Sequence, residues 1–143
     1  MVHALNEVRR VLVRGGVLVD LRPLVDRWPI EIASSGDQRE IGRVTDVAEP
    51  HEDDAAANAV MAQASDSGLW LREQQQDFPL FYYWDTPGEM REYLTEEWSD
   101  VITVDDTVWR DLRSEWAIAN PDARVRLRMK MLITRYRKPD TSA

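Results

Sequence analysis

The sequence predicts an α/β (or α+β) fold, a sheet with flanking helices and an antiparallel hairpin, on three observations. A helical pattern with apolar steps at Met1, Leu5, Val8 and Leu12 passes through Gly15-Gly16 into the run Val17–Leu21. Two further helical patterns, opening at Thr86 and at Asp105 or Asp106, are each followed by a strand pattern. Residues 124–137 alternate with period two, the signature of a long half-buried strand. The 143 residues suit a single domain, since domains run to roughly 100–200 residues. Within 1–143 the order is a helix–Gly-Gly–strand unit (1–22), an insertion with a helix (23–84), a helix–strand–helix–strand segment (85–138) and a tail (139–143).

The first helix spans 2–13, with Glu7, Arg9 and Arg10 off its apolar stripe. Glycine ends it because a left-handed cap carries no Cβ penalty there. Val17–Leu21 is apolar at nearly every position and predicts a strand buried on both faces, as in a parallel sheet. Pro23 ends it. Pro29–Ala33 and Arg39–Val47 flank Ser34-Ser35-Gly36-Asp37 and predict a hairpin. Residues 54–67 hold Ala55, Ala56, Ala57, Val60, Met61 and Ala64 at helical spacing, and Gly68 ends that helix; Pro50 or Asp53 opens it. Leu69–Trp84 is harder to read, and Gln74-Gln75-Gln76 has no periodicity. Phe78–Trp84 is a strand with Phe78, Leu80, Tyr82 and Trp84 on one side, held to an edge or bulge by Pro79.

Thr86, Pro87 and Glu89 form the clearest local signal, a capping box with proline at the first helical position. That helix runs to Trp98 with Met90, Tyr93, Leu94 and Trp98 inward. Val101–Val104 is a short strand, and the next helix turns Trp109, Leu112 and Trp116 to one face before Asn120-Pro121. In the last strand Val125, Leu127, Met129, Met131 and Ile133 share one face, and Arg124, Arg126, Arg128 and Lys130 the other.

Composition narrows the function. Lys+Arg total 18 against Asp+Glu 26, a net charge of −8, which argues against a nucleic-acid partner because such binders need a basic face to displace counterions. Cysteine is absent, which removes disulfides, thiolate nucleophiles and cysteine-type zinc sites. No apolar run reaches the roughly 18–20 residues of a membrane span. Met1–Val13 carries Glu7, Arg9 and Arg10 and is no signal peptide. A soluble cytoplasmic protein with no membrane partner is the expectation.

Residues 4–20, Ala-Leu-Asn-Glu-Val-Arg-Arg-Val-Leu-Val-Arg-Gly-Gly-Val-Leu-Val-Asp, resemble a stretch of class I S-adenosylmethionine-dependent methyltransferases. In that family a helix carrying Glu-x-x-Arg-Val-Leu leads through Pro-Gly-Gly into the fifth strand of a Rossmann-like sheet. Here Glu7, Arg10, Val11 and Leu12 match, Gly15-Gly16 is intact, and Arg14 replaces the proline. The resemblance implies that Val101–Val104 and Val125–Tyr136 form the family's final antiparallel strands beside Val17–Leu21. It also implies that Pro29–Val47, joined by Phe78–Trp84, caps a substrate pocket. It covers nearly all of this chain but only the C-terminal half of the family's domain. The family's cofactor site lies in its first half, on a glycine-rich loop and an acidic strand end. Neither is present here, so no cofactor-binding residue carries over. The catalytic residues are unknown.

Five residues are candidates for a substrate pocket. Arg22, at the end of the Val17–Leu21 strand, could hold an anionic group, or simply an internal ion pair. Trp28, Tyr82, Tyr83 and Trp84 could line a pocket under the cap, or pack in the core. His51-Glu52-Asp53-Asp54 is consecutive, without an i+3 or i+4 ligand partner, and reads as an acidic helix start rather than a metal site. Arg124–Lys130 reads as a solvated, ion-paired strand face before a phosphate patch.

Two functions follow. One is a partial methyltransferase domain that binds no S-adenosylmethionine by itself and lacks autonomous catalysis. The other is a small-ligand or protein-binding module built on the aromatic cap. Both predict self-association, most simply a dimer, because a fifth-type strand without parallel neighbours exposes backbone and apolar surface.

Overall fold

The computed structural model describes residues 2–24 and 26–140, with the side chains of Val2 and of 48–54 outside the description. The elements are α1 (Val2–Val11), β1 (Val17–Pro23), β2 (Pro29–Ser34), β3 (Asp37–Arg43), β4 (Thr45–Asp46), α2 (Ala48–Asp66), β5 (Leu71–Trp84), α3 (Pro87–Glu97), β6 (Ile102–Thr103), α4 (Asp106–Trp116) and β7 (Arg124–Arg137). It is a mixed α/β fold. Among the described residues four helices accompany a five-stranded sheet of order β1-β7-β2-β3, in which β5 also pairs with β7, and a two-stranded sheet of β4 and β6.

The chain divides into two compact units: Met1–Leu24, Glu52–Phe78 and Met131–Ala143 in one, and Val25–His51 with Pro79–Lys130 in the other.

In the first unit β1 pairs with the second half of β7, Val17 opposite Arg137 through Pro23 opposite Met131. This pairing is antiparallel, which corrects the expectation of a parallel strand. The two-face burial is corrected too: β1 alternates between exposed and half-buried positions, with Val19 and Leu21 each 55% exposed. An apolar run does not reveal which of its faces is covered. Here the covered face is that of Leu18, which packs with α1 and α2 against Leu5, Met61, Ala64, Trp70 and Tyr136. Leu5, Val8 and Leu12 of the stripe read from the sequence line this cluster, and Met1 lies outside the described residues. Gly15 takes φ +68° and its amide donates to the Lys138 carbonyl; Lys138 N–H donates back to Gly16. The glycine turn thereby ties β1 to the end of β7. The Lys138 ammonium closes α1 by donating to the Arg9 and Leu12 carbonyls, each at 2.6 Å.

β5 begins at Leu71, well before the expected Phe78, and runs through the glutamines. Its contacts explain this: Gln75 Nε2 donates to Thr134 Oγ1 at 3.1 Å, and Glu73 pairs with Arg135 and Arg137. A strand exposed at nearly every position in this half shows no buried-face periodicity.

In the second unit β2 and β3 form the expected hairpin around Ser35-Gly36. Its second strand ends at Arg43, and Thr45–Asp46 leaves to pair with β6. That corrects the expected pairing of Val101–Val104: Thr45 lies opposite Thr103 and Asp46 opposite Ile102, in the two-stranded sheet that does not include β1. β2 also pairs with the first half of β7, Ile30 opposite Leu127 and Ile32 opposite Val125. Those four side chains and Trp28, Val44, Met90, Leu94, Ile102, Trp109 and Leu112 are buried. Gly42 on β3 lets α4 approach, since a Cβ there would lie 2.7 Å from both Val108 methyls. α3 starts as expected, with Thr86 Oγ1 accepting from Glu89 N–H at 3.2 Å. The Glu89 carboxylate reaches back one residue further than a capping box, to Asp85 N–H at 3.1 Å. α2 begins at Ala48, ahead of the expected 54, and the His51–Asp54 cluster lies outside the described side chains.

Burial along β7 changes parity. Val125, Leu127, Met129 and Met131 are buried at odd positions, then Thr134 and Tyr136 at even ones, with Ile133 36% exposed. The apolar face read from the sequence therefore holds to Met131 and fails at Ile133.

Candidate functional site

The five candidate residues do not converge. Arg22 lies on β1, where its Nε donates to Asp20 Oδ2 at 2.9 Å; both side chains are largely covered, 17% and 20% exposed. This is the ion-pair reading of Arg22 rather than a free anion site.

Trp28, Tyr82 and Trp84 do meet, together with Tyr93 and Trp98, which the sequence had placed on the inward face of α3. Trp28 meets Trp98 edge to face at 6.4 Å, and Tyr82 meets Trp98 at 5.0 Å. Tyr82 stacks on Trp84 at 6.2 Å, and Tyr93 touches Trp84 at 5.5 Å and Trp98 at 5.7 Å. Rings at these spacings fill one another's faces. Trp28 is 4% exposed and anchors the group. The cluster is a packed aromatic layer rather than an open cage.

Tyr83 alternates to the other side of β5, because successive strand residues face opposite ways. Its hydroxyl accepts from Arg126 Nη1 at 3.2 Å, and its ring lies 5.2 Å from the Arg124 guanidinium. The residue that organises this side is Arg126, directly opposite Glu31 across β2 and β7. Arg126 Nε donates to Glu31 Oε2 at 2.6 Å, its Nη2 to Gln38 Oε1 at 2.5 Å, and its plane stacks 4.4 Å from the Phe81 ring. Arg128 Nε takes the second Glu31 oxygen at 3.0 Å. Arg126 is 9% exposed and Glu31 5%. Burial pulls the Arg126 pKa down, but its bonds to Tyr83 and Glu31 outweigh that and hold it above the ordinary value.

The charged face of β7 is thus saturated by acids: Arg124 meets Asp85 at 2.9 Å and Lys130 meets Asp26 at 3.6 Å. The ion-paired reading of Arg124–Lys130 holds, with one change, since Arg126 is buried rather than solvated. Neither Glu31 nor Gln38 stood out in the sequence. Their link to Arg126 spans 95 and 88 residues, and only the register of β2 against β7 brings them together.

A shallow depression on the first unit is lined by Val19, Gln74, Gln76, Ile133 and Arg135. It lies on the uncovered side of β1 and β7, where Leu21 and Ile133 are opposite one another. Among the described residues no group of three or more His, Asp or Glu side chains is placed to hold a metal ion. No described helix is long and apolar enough to cross a membrane. The chain matches no protein-family model, no curated protein and no solved structure.

Proposed function

We propose that this chain is a methyltransferase-like partial domain, corresponding to the C-terminal half of a class I S-adenosylmethionine-dependent enzyme and binding no cofactor by itself. The observation that carries this reading is the α1–Gly15-Gly16–β1 unit, whose strand lies antiparallel beside the final strand β7. The resemblance asks for that neighbour. The turn between helix and strand rests on Gly15 at φ +68°, a conformation that glycine adopts without strain. The six glycines include no Gly-x-Gly-x-Gly run, which supports a reading without the family's glycine-rich cofactor loop.

Two features depart from the family. The β1–β7, β2–β3, β2–β7 and β4–β6 pairs are all antiparallel, and β6 sits with β4. Methyl-transfer chemistry, its acceptor and a cytoplasmic setting therefore rest on the resemblance at residues 4–20.

The alternative, a ligand-binding aromatic cap, is weaker. Trp28, Tyr82 and Trp84 are spent on one another and on Trp98, while Tyr83 is drawn to Arg126.

Calorimetric titration of the chain with S-adenosylmethionine tests the proposal. It predicts no stoichiometric binding by these 143 residues. Micromolar binding by the chain alone contradicts it.

A further inference from the structure

We infer that a second copy of this chain covers the open edge of β1, the two β1 strands pairing antiparallel about a twofold axis at Leu21. The inference stands on the edge itself and not on the methyltransferase reading. Among the described residues β1 is hydrogen-bonded to β7 alone, so its other edge carries unpaired backbone donors and acceptors. Such an edge is a template for another strand unless charges, prolines or a bulge blunt it. Here the exposed face carries Val17, Val19 and Leu21 at 37%, 55% and 55% exposure, and proline appears only at the last position, Pro23. Ile133, opposite Leu21 on β7, continues this apolar surface.

Charge selects the register. In a twofold antiparallel pair, hydrogen-bonded and non-hydrogen-bonded positions alternate, so one residue must face itself on the axis. With Asp20 on the axis, two carboxylates face each other. With Val19 on the axis, Asp20 faces Leu18 and Arg22 faces Gly16, and no charges are matched. With Leu21 on the axis, Asp20 of each copy faces Arg22 of the other, Leu21 meets Leu21, and Val19 meets Pro23. Like charges directly opposite are unfavourable and unlike charges favourable. The Asp20–Arg22 pair seen within one strand at 2.9 Å becomes a square of alternating charge.

The test uses the whole chain. Wild type should run as a dimer by light scattering across a concentration series. Asp20→Arg and Arg22→Asp should each halve the apparent mass, since each places like charges opposite one another. Mixing the two variants should restore the dimer, because the Arg of one then faces the Asp of the other at both positions. Circular dichroism checks that each variant folds. Leu21→Cys keeps every charge and should form a disulfide-linked dimer, since cysteine is otherwise absent and facing residues lie within disulfide reach. Val13→Cys, exposed and off the strand, should not. A monomeric wild type at high concentration, or a folded mixture that stays monomeric, overturns the proposal. So does a Leu21→Cys chain that fails to cross-link.

Discussion

Leu21 and Ile133 face one another across β1 and β7, both open to solvent, while Leu18 and Tyr136, three registers along, face one another inside the core. The two pairs lie on opposite sides of the same two strands. Helices α1 and α2 cover the Leu18 side, and nothing among the described residues covers the other to the same extent. This asymmetry leaves the Leu21 side of the two strands exposed, and it separates β1 from the doubly covered strand that its composition suggests.

The buried Glu31–Arg126 pair should be the most sensitive polar contact in the second unit. Glu31→Ala leaves the Arg126 guanidinium without its principal acceptor in a site 9% exposed. A loss of about 3–5 kcal/mol is expected. Replacing both residues with apolar side chains of similar volume should cost far less. Urea unfolding of the single and double variants separates the two, and equal losses would refute the assignment.

Gly42 is required by space rather than by backbone conformation. Gly42→Ala should destabilise by about 1–3 kcal/mol, the usual cost of overpacking, because its Cβ would lie 2.7 Å from the Val108 methyls. Adding Val108→Ala should recover part of that loss despite the methyls removed. Thermal melts of the single and double variants would show the coupling, or its absence.

Thr86→Ala should cost about 1 kcal/mol, the usual worth of an N-cap oxygen, because Glu89 N–H loses its acceptor. Thr86→Ser should retain most of it. A Ser variant no better than Ala would place the Thr86 contribution elsewhere.

Acid should weaken the first unit through Glu73. The hydrogen bond from Arg137 holds the Glu73 carboxyl below its ordinary value, and Asp122 is lowered likewise by Ser35. A depressed carboxylate stabilises the fold above its unfolded pKa, and the contribution is lost as pH falls through the folded value. Stability should therefore decline below the ordinary carboxylate range, and Glu73→Gln should flatten that acid limb. A limb of unchanged slope would remove Glu73 from the account.

Alkali should act through Tyr136. Burial, aided by Asp20, raises its phenol above the ordinary value of 10.0. A raised group stabilises the fold below its unfolded pKa, and that support is lost as pH rises through the folded one. Unfolding should become easier above about pH 10, and Tyr136→Phe should lessen that slope.

What was legible in the sequence was local. Thr86, Pro87 and Glu89 announced α3, Gly36 between two strand patterns announced the hairpin, and the Leu5–Val8–Leu12 stripe announced α1. Each rests on chemistry within a turn or two of chain. What failed depended on distant partners. Residues 71–77 form strand because β7 supplies Thr134, Arg135 and Arg137 as neighbours, although nothing buries the glutamines. β1 looked doubly buried because its apolar run is the same whether one face is covered or both. The site divided similarly. Aromatic content singled out Trp28, Tyr82 and Trp84, which the fold packs into one layer with Trp98, whereas strand alternation turns Tyr83 to Arg126.

We propose that these 143 residues form a methyltransferase-like partial domain that binds no cofactor by itself. Calorimetric titration of the purified chain with S-adenosylmethionine tests it most directly. The account predicts no saturable heat at micromolar concentrations; a stoichiometric isotherm in that range would contradict it.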